Sequence, residues 1–283
     1  MPSHRRFRLL ALDVDGTILD GRGQIRPRTA RAIARAAEAG IRPVLCTGRR
    51  YRRALPVARE LGLTGPIVCN SGAILKDTHD HRTLWRADFD HGLRTELIRA
   101  FADHDEPIVG FADDGPDDPD FVVRHDPTGR AMFDEYVALN RPHARVDPGW
   151  ADRGDPHFHL CAIGDRPGML ALEADLLDRF PGRIRTFVQR SPNYTGTMCE
   201  VLRHDASKWA ALGPLMRAWG VAPEEVVAVG DDMNDLPMIL AAGLGVAMAH
   251  APRIVLDAAD LVTAGNADDG VAALIEGVLL AAG

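Results

Sequence analysis

The sequence predicts an α/β protein in which a doubly wound parallel sheet is split by an inserted α+β domain. Strand–helix alternation at the start gives way, from about Trp85, to strands in sequence-adjacent pairs, and it resumes after His204. Three separate apolar runs end in polar turns, as buried parallel strands do when they run out into loops. A length of 283 residues also exceeds what one ordinary domain takes.

The first strand is Leu9-Leu10-Ala11-Leu12, and it runs into Asp13-Val14-Asp15-Gly16-Thr17. The two carboxylates repel each other and neither is cheap to bury, so folding alone gives no reason to place them there. A turn rich in Asp and Gly is the ordinary alternative. An Ala-rich helix over Thr29 to Ala39 follows, with Pro27 ahead of it and Gly40 closing it. Pro43 to Cys46 is the second strand, ending at Thr47-Gly48-Arg49, and Tyr51 to Leu61 is a helix that Pro56 is expected to disturb. Ile67-Val68-Cys69 forms the third strand and enters Asn70-Ser71-Gly72.

In the insertion, helices are expected over His91–His104, Arg130–Asn140 and Pro167–Phe180. Strands are expected over Pro107–Phe111, Phe121–Arg124, His157–Ile163, Arg183–Gln189 and Thr197–Leu202. The expected division is 1–84 with 195–283 for the doubly wound domain and 85–194 for the insertion. The alternating pattern then returns with a helix over Ser207–Trp219 and a strand over Glu225–Val229. That strand ends at Gly230-Asp231-Asp232-Met233-Asn234-Asp235. A helix over Leu236–Ala242, short strands at Gly245–Met248 and Leu261–Thr263, and a closing helix over Gly270–Leu280 complete the chain.

Composition narrows the function. Hydrophobic residues make up 46% and charged residues 26%, values that support an ordinary packed core. A net charge of −7 argues against nucleic acid as a partner, since phosphate-backbone binding needs a basic face. No apolar stretch is long enough to span a bilayer, and the run after the basic start is cut by Asp13, too short for a signal peptide. Cys46, Cys69, Cys161 and Cys199 are scattered, which fits buried thiols in a reducing cytoplasm.

In a parallel sheet the polar ends Asp13/Asp15, Thr47/Gly48/Arg49 and Asp231/Asp232/Asn234/Asp235 share one edge. Several carboxylates beside a hydroxyl and glycines suit a hard divalent cation, with magnesium favoured over zinc because no Cys or His stands at zinc spacing. Lys208 falls at a helix start, where a cation opposes the helix dipole by ~0.3–1 kcal/mol. An exposed surface lysine is the plain alternative, but facing the acids it would hold an ionised Asp and neutralise substrate charge. A carboxylate approaching a phosphate ester meets repulsion of roughly 4 kcal/mol per charge pair at an effective dielectric near 20. A divalent cation and a lysine reverse that sign. The carboxylate nucleophile is already ionised at neutral pH and needs no base.

Asp-x-Asp-Gly-Thr, Thr-Gly-Arg, Lys208 and Gly-Asp-Asp-x-Asn-Asp, in this order, resemble the haloacid dehalogenase superfamily. Within it the layout resembles the Cof-type phosphatases, with a Rossmann-like core and a large α/β cap inserted after the third strand. The resemblance implies that Asp13 attacks phosphorus and forms an aspartyl-phosphate, and that Asp15 serves as acid and then base. It implies Mg2+ held by the Asp13 carboxylate, the Asp15 backbone carbonyl and Asp231, with Asp235 supporting from behind. Thr47, the Gly48 amide, Arg49 and Asn234 would meet the phosphoryl group or substrate, and Lys208 would bridge nucleophile and phosphate. An Asp at position 15 points to phosphate chemistry, because an oxygen leaving group benefits from a proton.

Two stretches depart from the family pattern. Asn70-Ser71-Gly72-Ala73 stands where Asn-Gly-Ala is common, leaving open which residue faces the site. Ala249-His250-Ala251 stands where Gly-Asn-Ala is common, and His250 is expected to cap a turn rather than reach the site. Arg50, Arg52 and Arg53 are expected on a solvated helix face. Asp113 to Asp120 reads as a solvated acidic loop without EF-hand spacing. His157 and His159 are expected on an ordinary strand surface, and the four tryptophans in the core or at an interface.

The expected function is therefore a Mg2+-dependent phosphatase acting on a small phosphorylated metabolite, a sugar phosphate being one candidate. The cap would close over the site about hinges near Leu84 and Tyr194, with Arg190 to Gly196 facing the substrate. A phosphomutase and a dedicated phosphatase of sugar or phosphoglycerate conjugates share the same motifs. A non-catalytic phosphometabolite sensor is the rival from another class, although sensing does not need both Asp13 and Asp15. The expected assembly is a monomer or weak homodimer, with neither nucleic acid nor membrane as partner.

Overall fold

The structure, a computed structural model, describes residues 7–113, 115, 119–190 and 194–281. The basic start, the acidic stretch Asp113–Asp120 and the stretch Arg190–Gly196 thus fall partly outside the described residues. The chain forms two compact units: residues up to Trp85 together with those from Ser207 onward, and Arg86–Ala206.

The first unit begins with β1 (Leu9–Leu12), all four residues buried. The helix α1 (Pro27–Glu38) starts on its proline and buries Ala32, Ile33 and Ala36 on one stripe. Next come β2 (Arg42–Leu45) and α2 (Tyr51–Glu60), which runs on through Pro56 instead of breaking. Arg50, just ahead of α2, is buried and not part of a solvated face. Then β3 (Ile67–Cys69), β4 (Ile74–Lys76) and β5 (Thr83–Arg86) form a small three-stranded sheet in which β4 runs antiparallel to β3.

The second unit comprises α3 (His91–Asp103), β6 (Ile108–Phe111), β7 (Phe121–Val123), α4 (Ala131–Leu139), β8 (Ala144–Val146), β9 (His159–Gly164), α5 (Arg166–Arg179), β10 (Ile184–Arg190) and β11 (Thr197–Arg203). Asp90 and Asp165 cap α3 and α5, accepting from the backbone N–H groups of Leu93 and Gly168. The six strands lie in the order β10-β11-β9-β6-β7-β8, antiparallel except for β7 and β8. Alternate residues Leu160 and Ala162 of β9 and Cys199 and Val201 of β11 pack with Leu97, Phe101, Leu172 and Leu176 into one core. β11 pairs over Thr197–Arg203 with β10 and over Thr197–Leu202 with β9, and the two units divide at 206/207 where 194/195 was expected. Tyr194, expected near a hinge, packs edge-on against Tyr136 with ring centroids 4.9 Å apart.

His157 and His159 are buried, not surface residues. His157 Nδ1 accepts from Arg94 Nε at 3.0 Å beside Trp150, while His159 stacks on Phe111 with centroids 4.4 Å apart. Arg94 is itself buried, and it is satisfied by the carbonyls of Ala151 and Trp150 at 3.2 and 2.9 Å.

The chain returns to the first unit through α6 (Lys208–Trp219), β12 (Val226–Gly230), α7 (Leu236–Ala241), β13 (Leu244–Met248), α8 (Arg253–Ala258), β14 (Leu261–Thr263) and α9 (Gly270–Leu274). A π-helical turn over Ile275–Leu279 continues α9. The main sheet is parallel in the order β14-β13-β12-β1-β2. An isolated bridge between Cys46 and Val68 brings β3 alongside β2. Leu9, Ala11, Val44 and Ala228 pack under Ala211, Leu212 and Leu215 of α6. That leaves Leu10 and Leu12 for the opposite face. The predicted doubly wound core with an inserted α+β unit is borne out. Among the described residues no helix is long and apolar enough to cross a membrane, and all four cysteines are buried and unbridged.

Candidate active site

Because β12, β1 and β2 are parallel neighbours, their carboxyl ends deliver Asp231, Asp13 and Thr47 side by side. The Asp13 N–H is fixed by the Val229 carbonyl at 3.0 Å, and the residue is only 4% exposed. Lys208 opens α6, whose N-cap Ser207 accepts from the Ala210 N–H at 3.1 Å. The Lys208 side chain is fully buried, and Nζ donates to Asp13 Oδ1 at 2.7 Å and Asp235 Oδ1 at 2.5 Å. The exposed-lysine alternative therefore fails. Asp235 Oδ2 accepts from the backbone N–H groups of Asp231 and Asp232 at 2.9 and 3.0 Å. Both oxygens of Asp235 are thus occupied, whereas Asp13 keeps Oδ2 and Asp231 keeps a lightly held Oδ2.

Two glycines make this closeness possible. Gly16 has φ of 81°, and a Cβ there would lie 2.2 Å from Asp231 Oδ2. Gly72 lets the loop after β3 lie against the start of α6; a Cβ would meet the Ser207 carbonyl carbon at 2.0 Å.

Charge accounts for the titration behaviour. Asp13, Asp231 and Asp235 place one ligand atom each within 4.8 Å of one another, with a single ammonium among them. Burial pushes the Asp13 carboxyl well above its usual range; Lys208 opposes this, and Asp235 and Asp231 add to it. Burial also raises Asp235. Burial works against the Lys208 charge, but Asp13 and Asp235 outweigh it and hold the amine cationic. When all three carboxylates are ionised, one ammonium leaves an excess of two negative charges, which one divalent cation balances. An all-oxygen donor set between Asp13 and Asp231 fits magnesium.

The remaining expected residues fall into two groups. Thr47 is fully buried at the end of β2, and its Oγ1 accepts from the Arg49 N–H at 3.1 Å, with Gly48 between them half-buried. Arg49, expected to meet phosphate, grips Asp15 instead: Nε and Nη2 each donate to a separate carboxylate oxygen at 2.6 Å. The Asp15 carboxylate is thus turned to Arg49 and is not among the three clustered acids. Asn234 is 5% exposed, and its Nδ2 lies 3.4 Å from Ser71 Oγ. Its Oδ1 is buried without a partner among the described residues, an acceptor left for a ligand or water.

Three residues were not assigned to the site from sequence. Thr17 Oγ1 donates to Asp231 Oδ1 at 2.9 Å. Ser71 is the residue of the Asn70-Ser71-Gly72 turn that meets Asn234, and it is held at φ 54°. His250 does sit in a turn, but its Nε2 also faces Asp231 Oδ2 at 3.6 Å, so the expectation of a turn role alone is corrected. The carboxylate of Asp231 raises the His250 pKa, burial opposing.

The family model described as haloacid dehalogenase-like hydrolase matches residues 10–275. The chain is 30% identical over 277 residues to the pyridoxal phosphate phosphatase YbhA of Escherichia coli, covering 95% of this chain and 97% of that protein. It is 27% identical over 271 residues to the 5-amino-6-(5-phospho-D-ribitylamino)uracil phosphatase YcsE of Bacillus subtilis, covering 95% and 94%. Among solved structures, a haloacid dehalogenase-like hydrolase from Bacteroides thetaiotaomicron superposes with a TM-score of 0.78 at 27% identity, covering 96% of this chain and 99% of that one.

Proposed function

The chain belongs to the haloacid dehalogenase-like hydrolases, and from that premise we propose that it is a Mg2+-dependent phosphatase that passes the phosphoryl group of a small metabolite through Asp13. The observation that carries this reading is the buried Lys208, bonded at once to Asp13 and Asp235 beside Asp231. A structural ion pair needs neither the third carboxylate nor the negative excess.

The side chains act in order. The free Asp13 oxygen forms the bond to phosphorus while the ester oxygen leaves with a proton from Asp15. Arg49 holds both oxygens of the ionised Asp15 at rest, so Asp15 must first leave Arg49 and take up a proton from solvent, which it then passes to the leaving oxygen. Water then attacks phosphorus, Asp15 takes its proton, and phosphate and free Asp13 are regenerated. Lys208 holds Asp13 in line and draws charge from the transferring group. Thr47, the Gly48 amide and the second N–H of Asn234 Nδ2 donate to the phosphoryl oxygens, and Arg49, once released, joins them. Asp13, Asp231 and the Asp15 carbonyl would hold the magnesium ion, with Asp235 fixing the loop behind. Bound there, magnesium supplies the charge neutralisation that lets an anionic nucleophile approach an anionic ester.

The relatives named above act on different phosphorylated small molecules, which supports a phosphomonoester class rather than one substrate; sugar phosphates fall within it. Selection among them is assigned to the insertion, Arg86–Ala206, rather than to the motif residues of the first unit. The test is phosphate release from an aryl phosphate with Mg2+ and with chelator, followed by a panel of sugar phosphates and pyridoxal phosphate. Magnesium-dependent release supports the reading. Isomerised product without release identifies a mutase, and ligand binding without turnover identifies a sensor; either result overturns it.

A further inference from the structure

The three clustered carboxylates are not equally restrained. Asp13 is tied to Lys208, and Asp235 is tied by Lys208 and two backbone N–H groups. Among the described residues, Asp231 is held on Oδ1 by Thr17 alone. Its Oδ2 faces His250, with Nε2 3.6 Å away. That imidazole stands in the turn closed by the Ala251 N–H on the Met248 carbonyl at 2.9 Å, directly after β13. It also interacts with the backbone of Gly16, the residue that makes room for Asp231 Oδ2.

We propose that His250 is a positioning residue that braces the Asp231 carboxylate against rotation and so sets the affinity of the Asp13–Asp231 seat for a divalent cation. Thr17 on one oxygen and His250 facing the other leave Asp231 one orientation. With Oδ2 released, the carboxylate can swing about its Cβ–Cγ bond, and the cation must then supply the ordering. Partners behind metal-binding carboxylates act in this way, and their loss typically costs 10–100-fold in metal affinity. His250 is 42% exposed on its side chain, so its replacement leaves the packed core intact.

The proposal rests on the cation reading above, and the experiment separates the two. Mg2+ binding to the full chain, without substrate, is measured by calorimetry for the parent, His250→Ala, His250→Gln and Asp231→Asn. His250→Ala is expected to weaken binding by about tenfold. His250→Gln, whose amide nitrogen reaches the place of Nε2, should stay within about threefold of the parent, a rescue that a merely structural role would not give. Asp231→Asn should abolish binding. Parent-like affinity of His250→Ala, or a Gln variant as weak as Ala, overturns the role of His250. Parent-like binding by Asp231→Asn overturns the cation seat itself.

Discussion

Replacing Lys208 by Met removes the ammonium but keeps the length and volume of its stem. Asp13 and Asp235 would then share a buried region with no cation between them, and each would lose one charge-assisted hydrogen bond, of 2.7 and 2.5 Å. Breaking a buried ion pair by removing one partner costs about 3–5 kcal/mol, because the surviving charge stays desolvated. For a domain of this size each kcal/mol is worth roughly 2–4 °C in Tm, so a fall of roughly 6–20 °C is expected at pH 7.5. The deficit has a definite pH dependence. Asp13 and Asp235 already have raised carboxyl pKa values, and loss of Lys208 raises them further. The folded variant then binds more protons than the unfolded chain, so its stability relative to the parent recovers as pH falls towards 5. Thermal unfolding followed by circular dichroism between pH 7.5 and 5 measures this, and phosphate release should fall by at least ~100-fold in the same variant. A Tm within 2 °C of the parent across that range, or an unchanged deficit from pH 7.5 to 5, would refute the reasoning.

Gly16→Ala forces a left-handed non-glycine residue, at ~1–2 kcal/mol, and drives its Cβ into Asp231 Oδ2, 2.2 Å away. Activity should drop by more than ~100-fold while the chain stays folded; parent-like turnover would show that the Asp231 orientation does not matter. Burial pushes the His159 pKa down to about 3, and Glu200 Oε1, 3.8 Å from Nε2, does not offset it. The unfolded chain therefore protonates first, and stability present above pH 6.5 is lost on acidification, by roughly 2–3 kcal/mol at pH 4.5. His159→Gln should flatten that part of the acid-unfolding curve; an unchanged slope would place the acid sensitivity elsewhere.

The fold could be read because its signals are local. Leu9–Leu12 and Val226–Val229 are apolar runs broken by Asp and Gly, and parallel pairing then puts Asp13 and Asp231 on one edge. Elements that escaped notice carry little local signal. β4 and β8 have three residues each, too short for a period, and α8 has six. Burial of polar side chains was misread where their partners are distant in sequence. Arg94 Nε donates to His157 Nδ1 from 63 residues away, and nothing along the chain announces it. The same limit hid the grip of Arg49 on Asp15 across 34 residues and the approach of His250 to Asp231. The turn at His250 was legible, but which way its ring points depends on the register of β13 beside β12.

In the proposed cycle Asp13 carries the phosphoryl group during turnover. Mixing the enzyme with a turned-over phosphomonoester and Mg2+, quenching within milliseconds and reducing with borohydride converts an acyl phosphate to homoserine. Peptide mass spectrometry should find homoserine at position 13 alone, and none in Asp13→Asn. Steady phosphate release with Asp13 unmodified at every quench time, or homoserine at another position, would contradict the account.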